Sequence, residues 1–301
     1  MIVLRYTLAA LALKTFSLND ASRHLYRQIG NRVGAKKREA VVDLDTRVER
    51  GDLLLELGRK HGALKDGYRL LEIGTGWMHW FSLYAALFYD LRITGLDVWD
   101  NRQFSALVAA ARKLRPVLEQ RRESPAVLAR VDQILQSRSL EELYGRLGFE
   151  YVLQPQGSLA QFPAGSFDTV ISFHVLEHVP RQNVATLLDD IHRVLRPGGC
   201  SIHQIGIDDH LAHYDAKASK KQYLKYSDRT WRTFFENDVQ YINRLQASEW
   251  EQMFAATGLT PIERIAEAVD IDSLRVHPRF GHLPREDHYM EIGRASCRER
   301  V

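Results

Sequence analysis

Residues 68–99, YRLLEIGTGWMHWFSLYAALFYDLRITGLDVW, decide how this chain is read. A short apolar run (Leu70, Leu71, Ile73) ends in Glu72-Ile73-Gly74-Thr75-Gly76. An apolar helical segment follows through Trp80, Leu83, Ala86 and Leu87, and a second strand-like run, Arg92 to Leu96, ends at Asp97. Two strands joined by a helix pair in parallel with a right-handed crossover. Ligands of such sheets sit beyond the carboxyl ends of the strands, where Gly74, Gly76 and Asp97 fall.

Each of these residues has a physical task. Gly74 and Gly76 let the backbone turn sharply and approach a ligand with no Cβ in the way. A carboxylate closing the second strand can accept both hydroxyls of a ribose. Two adenosine cofactors fit, a dinucleotide and S-adenosylmethionine. A dinucleotide fingerprint asks for a third glycine where His79 stands, and Trp77-Met78-His79-Trp80 would crowd a pyrophosphate. S-adenosylmethionine has no pyrophosphate, and Glu72 suits its cationic amino-acid end.

LLEIGTG resembles the first motif of class I S-adenosylmethionine-dependent methyltransferases, and GLDVW the acidic end of their second strand. Phe162 to Val179, FPAGSFDTVISFHVLEHV, and Val194 to Gly199, VLRPGG, match further motifs in order. The third glycine frequent in the first motif is Met78 here. The resemblance implies a Rossmann-like doubly wound α/β sheet of strand order 3-2-1-4-5-7-6. It also implies cofactor contacts at Glu72, Gly74, Thr75, Gly76 and Asp97. Ser158 and Leu159 would lie at the adenine, and His174 at the end of the fourth strand.

The chain has 301 residues, 45% hydrophobic, with a net charge of +3. That charge does not argue for nucleic acid. Its two cysteines, Cys200 and Cys297, make no disulfide framework and fit a reducing cytoplasm. The opening MIVLRYTLAALALKTF is interrupted by Arg5 and Lys14 and is too short for a bilayer, which needs about 20 residues. Leu4, Leu8 and Leu11 share one helical face, expected to pack on the domain. Contact of this helix with the surface of the inner membrane is the second reading. The last eleven residues, EIGRASCRERV, back-translate to a common sequencing-adapter oligonucleotide. Residues 291–301 are therefore expected to be foreign, and the seventh strand, starting near Asp287-His288-Tyr289-Met290, to be cut short.

The expected organisation is a helical extension or lid over 1–62 and a methyltransferase domain over 63–290. Helical insertions are expected at about 101–148 and 208–257. In the extension Leu25, Ile29, Val33, Val41, Leu44, Val48 and Leu55 are the apolar positions, beside a basic set running from Arg23 to Arg38. Pro116 and Pro125 punctuate the first insertion. Tyr241 to Leu259 reads as a helix. Within it, Tyr241, Asn243 and Arg244 resemble an Asn-Arg-Leu signature of bacterial methyltransferases encoded among sugar and cell-surface polymer genes. Asp168, at the start of the fourth strand, reads as structural.

Methyl transfer from a sulfonium is an in-line displacement in which the protein aligns the acceptor. An oxygen or nitrogen acceptor needs a base, and histidine suits neutral pH. The candidates are His174, His178, His203, His210 and His213, with His210 and His178 foremost. His174-x-x-Glu177-His178 also resembles the Glu-x-x-Glu-His metal motif of some ubiquinone-pathway and small-RNA methyltransferases, which makes a divalent ion there the alternative to a metal-free site. The leading function is methylation of a sugar or related small acceptor, on oxygen first and nitrogen second. A nicotinamide-dependent oxidoreductase and an inactive adenosyl-binding protein are the competing readings. The polar stretch Asp208 to Asp215 argues against the inactive one.

Overall fold

Arg69 pairs with Arg92 and Ile73 with Leu96, in parallel register, so the two strand-like runs of the deciding stretch lie side by side. They are β1 (Arg69–Ile73) and β2 (Arg92–Asp97), joined by α4 (Trp80–Phe88). The computed structural model describes residues 3–40, 43–269, 271, 274–284 and 289–298. Ahead of β1 stand α1 (Leu4–Phe16), α2 (Asp20–Ala40) and α3 (Leu44–Lys60). Then come α5 (Phe104–Gln120), α6 (Pro125–Gln136), α7 (Leu140–Leu147), β3 (Phe149–Leu153), β4 (Phe167–Phe173), α8 (Val184–Val194) and β5 (Leu195–Gly206). The chain continues through α9 (Asp228–Phe234), α10 (Ala247–Ala256), β6 (Leu259–Ala268) and β7 (Tyr289–Arg298). The sheet order is β3-β2-β1-β4-β5-β7-β6, the order that the resemblance implies.

By contacts the chain divides into two compact units, one of residues 31–173, 189–203 and 295–301, the other of 1–30, 174–188 and 204–294. The first unit holds the parallel strands. Leu70, Leu83, Tyr84, Leu87, Ile93 and Leu107 are all buried there. Burial of that apolar surface, at about 25 cal/mol per Å², is what makes the α4 crossover stable. Pro125 stands at the start of α6, capped by Ser124, whose Oγ accepts the Val127 amide at 3.3 Å. Pro116, read as punctuation, does not interrupt its helix. It lies inside α5, where the buried face Ala111, Leu114 and Leu118 continues across it, so packing outweighs the lost amide.

The seventh strand also departs from expectation. It is ten residues long and runs through the tail that the sequence reading sets aside; Asp287 and His288 lie outside the described residues. Ala295 is buried, and Arg298 donates to the carbonyls of His192, Arg193 and Leu195 at 3.1, 3.3 and 2.7 Å. Cys200 and Cys297 are joined as a disulfide with Cα atoms 4.1 Å apart, where the sequence reading expected no disulfide framework. Neighbouring strands bring them together from 97 residues apart, a separation that sequence spacing gave no reason to bridge.

In the second unit, α1 packs with the face opposite to the one expected. Tyr6, Ala10 and Leu13 are buried, while Leu4, Leu8 and Leu11 are exposed. Both faces are apolar, so periodicity alone did not choose between them. The choice follows from a hydrogen bond, Tyr6 Oη to Asp209 Oδ2 at 2.7 Å, and from the aromatic cluster of Tyr223, Tyr226, Trp231 and Phe235. On α2, Leu25, Ile29 and Val33 are likewise exposed; Val41 lies outside the described residues. No described helix is long and apolar enough to cross a membrane.

Candidate functional site

The turn after β1 is built by its own backbone. Gly74 (φ 71°) and Gly76 (φ 63°) are left-handed, a conformation open to glycine. The Gly74 amide donates to Leu96 O at 2.7 Å, and the Gly76 amide to Asp97 Oδ2 at 3.1 Å. The other Asp97 oxygen takes the Val98 amide at 2.8 Å. Burial pushes the Asp97 carboxyl up to about 6 despite these bonds. A Cβ placed on Gly76 would meet nothing within 4 Å, so open space lies against the turn. Beside it, Thr75 keeps a buried hydroxyl with no partner among the described residues.

Glu72 is buried under the same turn. Its Oε2 accepts the Ser82 amide of α4 at 3.3 Å, and burial raises its pKa to about 8. The bulky residues after Gly76 do not fill the turn. Met78, His79 and Trp80 are packed inward, and only Trp77 of the four is exposed. His79 (φ 49°) sits among Tyr144, Phe149 and Tyr151, with ring centroids 5.1–5.7 Å away. Open space, an orphaned hydroxyl and a ribose-competent carboxylate together fit an adenosine bearing a sulfonium.

After β3, Ser158 Oγ accepts the Ala160 amide at 3.1 Å, and Leu159 is wholly buried. The loop is held by α8. Arg193 donates to the carbonyls of Leu159 and Phe162 at 2.9 and 2.7 Å, while Asp190 takes the Leu159 amide at 3.4 Å. Sequence reasoning had passed over this clamp. Its signal was there in the (i, i+3) pair of Asp190 and Arg193 at the helix end. Asp168 pairs with Arg69 and Arg196 at the foot of the sheet. His203 is buried against Ser172 Oγ at 2.7 Å, which makes it a core histidine.

The remaining histidines gather in the other unit. His174 (φ 53°) is left-handed, its amide on Gln204 O at 2.9 Å and its Nδ1 3.2 Å from Glu177 Oε1. Glu177 is buried; burial pushes its carboxyl up, but the His174 hydrogen bond and the charges of His178 and His174 outweigh this, leaving it below the usual range. Gly206 is required here. A Cβ on it would stand 2.7 Å from Glu177 Oε1 and 2.8 Å from His174 Nδ1.

His178 and His210 face each other with centroids 5.0 Å apart. His178 Nδ1 lies 2.6 Å from Tyr241 O, a bond that only a protonated Nδ1 can donate, so in the neutral ring Nε2 is the acceptor. His210 lies 3.6 Å and His213 3.1 Å from the carboxylate of Asp208. Burial lowers the His210 pKa to about 4. Glu177, His178 and His210 each offer an atom within 4.8 Å of the others, a spacing that a divalent ion could use. The grouping whose spacing could hold an ion thus takes in His210, where the motif resemblance pointed to His174.

The stretch Tyr241 to Gln246 is not the helix expected; only Ala247–Ala256 is helical. The reason is a strap. The Asn243 amide donates to Glu177 O at 2.8 Å, and its Nδ2 reaches Leu176 O at 2.8 Å and Val179 O at 3.2 Å. Arg244 (φ 56°) follows in a left-handed conformation that no helix continues. Asn243 therefore holds the short helical turn that carries Glu177 and His178.

A family model described as a methyltransferase domain matches residues 43–264. No curated protein matches the chain. Among solved structures, it is similar to phosphoethanolamine N-methyltransferase 2 of Haemonchus contortus. There the identity is 16% and the TM-score 0.47, over 83% of this chain and 53% of that one. It is similar to an S-adenosylmethionine-dependent methyltransferase of Methanosarcina mazei (17%, TM-score 0.47, 81% of this chain and 98% of that one). A third is geranyl diphosphate C-methyltransferase of Streptomyces coelicolor (14%, TM-score 0.47, 83% and 79%).

Proposed function

Since the chain belongs to the family of class I S-adenosylmethionine-dependent methyltransferases, we propose that it methylates a hydroxyl of a sugar or related small acceptor. S-adenosylmethionine supplies the methyl group on a sulfonium that needs no further activation. Asp97 holds the ribose, the Gly74–Gly76 turn lies against the cofactor's chain, and Glu72 faces its cationic end. The task left is to orient a hydroxyl and take its proton.

One observation carries the hydroxyl reading. His178 is fixed by Tyr241 O in the tautomer that leaves Nε2 free to accept, and His210 beside it is held neutral by burial. His178 takes the proton as the carbon–oxygen bond forms, and His210 orients the acceptor. The sugar class is supported by the Asn-Arg-Leu signature, whose asparagine supports that same histidine. Transfer of labelled methyl from S-adenosylmethionine to a panel of sugars, amines and phenols tests the reading. Methyl ethers of the sugars are the expected products. Labelling of amines alone would overturn it.

A further inference from the structure

A cavity of about 730 Å³ opens in the unit that carries His178, and four arginines stand among its lining residues. Arg181, Arg232, Arg244 and Arg279 all border it, with Trp231 and His178. The size is that of a small-ligand site. Its acids are largely engaged. Asp228 pairs with both Arg244 and Arg279, and Asp238 pairs with Arg23 at 2.8 Å. Glu236 also lines the cavity. Arg181 pairs with Glu249.

Two buried donors are left over. Arg244 Nη1 and Trp231 Nε1 have no acceptor among the described residues, though the residues are only 7% and 3% exposed. Native interiors rarely leave such donors empty; water or a ligand supplies the acceptor. The guanidinium of Arg244 is stacked over Trp231 and Phe280, at 4.9 and 5.5 Å from the ring centres, so the fork is fixed before any ligand arrives. Burial, and then the nearby charge of Arg181, lower the Arg279 pKa, so the two guanidiniums stand close enough to repel.

We propose that this cavity seats an oxyanion of the methyl acceptor, a phosphate or a carboxylate. Arg244 and Trp231 bind it, Arg232 and Arg279 close over it, and the hydroxyl to be methylated lies toward His178. Planar guanidinium forks suit both oxyanions. The inference rests on the methyltransferase reading and narrows its acceptor to an acidic or phosphorylated one.

Sugar phosphates, uronic acids and their neutral parents, offered with labelled S-adenosylmethionine, test it. The expected result is a kcat/KM at least tenfold higher for one charged series than for the neutral parents; the series that wins assigns phosphate or carboxylate. Arg232→Gln, at an exposed position, should raise KM for that series at least fivefold and leave kcat and cofactor affinity unchanged. Trp231→Phe keeps the ring and should do the same. Equal use of neutral and charged acceptors, or an unaltered KM in both variants, would overturn the proposal. Calorimetry with inorganic phosphate and with S-adenosylmethionine separates the two levels. Phosphate binding that Arg232→Gln weakens, in a protein that ignores the cofactor, keeps the anion site and removes the methyltransferase reading. Cofactor binding without either anion preference removes only the anion site.

Discussion

Asp97 holds Gly76: its Oδ2 accepts the glycine amide at 3.1 Å, so the carboxylate that closes β2 also shapes the turn after β1. The residue that would meet the ribose therefore organises the surface facing the rest of the cofactor. Replacing it should lose both effects. Asp97→Ala is expected to weaken S-adenosylmethionine binding about tenfold or more, given roughly 1.5–3 kcal/mol for a hydrogen bond to a charged group. Calorimetry gives the number, and an unchanged Kd removes Asp97 from the site.

The same carboxylate sets a pH dependence. Its pKa is raised to about 6, and only the ionised form can accept two hydroxyls. Binding should therefore be strong above that value and weaken as pH falls through it, by up to about tenfold per unit, the slope for uptake of one proton. Glu72, raised to about 8, titrates on the other side of neutrality, so its effect on the cationic end appears as a separate rise in affinity above pH 7. Asp97→Asn should flatten the acid limb and leave the alkaline one.

His178→Ala should lower kcat roughly 10²–10⁴-fold, the usual worth of a general base. Cofactor affinity should not change. A variant that keeps its turnover would pass the role of base to another group, with His210 next to be tested.

Asn243→Ala removes the Nδ2 donor from the carbonyls of Leu176 and Val179, leaving Leu176 O only the Val179 amide at 3.2 Å. The expected loss of stability is about 1–3 kcal/mol. Because the turn it holds carries His178, kcat should fall while cofactor affinity persists. Stability loss with kcat intact would show that the turn keeps its shape unaided.

Deleting residues 291–301 removes eight of the ten residues of β7, the Cys200–Cys297 disulfide and the three carbonyl bonds of Arg298, so the loss should exceed the roughly 1.5–3 kcal/mol of those bonds alone. The melting midpoint should drop by more than roughly 4 °C. Cofactor affinity measured below that midpoint should stay within about twofold, since Gly74, Gly76 and Asp97 are tied to one another. A large affinity loss would mean that the tail supports the turn.

Where one physical rule dominated, the sequence was readable. Gly74, Gly76 and Asp97 follow from strand ends and left-handed turns, and β4 (Phe167–Phe173) follows from a continuous apolar run. The face of α1 was not readable, because leucines line both sides and a hydrogen bond to a residue 203 positions away settles the matter. Asn243 and Arg244 lie in a stretch with helical periodicity whose backbone is claimed by carbonyls far away in the sequence. Tertiary hydrogen bonds outweigh a weak local preference there. The arginine cavity joins residues from Arg181 to Arg279 and has no local signature at all.

The bond from Tyr6 to Asp209 ties the opening helix to the residue preceding His210. Burial raises the Asp209 carboxyl to about 7 against the Tyr6 hydrogen bond, which lowers it. A preparation trimmed of its first sixteen residues loses both the cover and the phenol beside this carboxylate, next in sequence to His210. The leading helix is better regarded as a keystone than as a detachable arm.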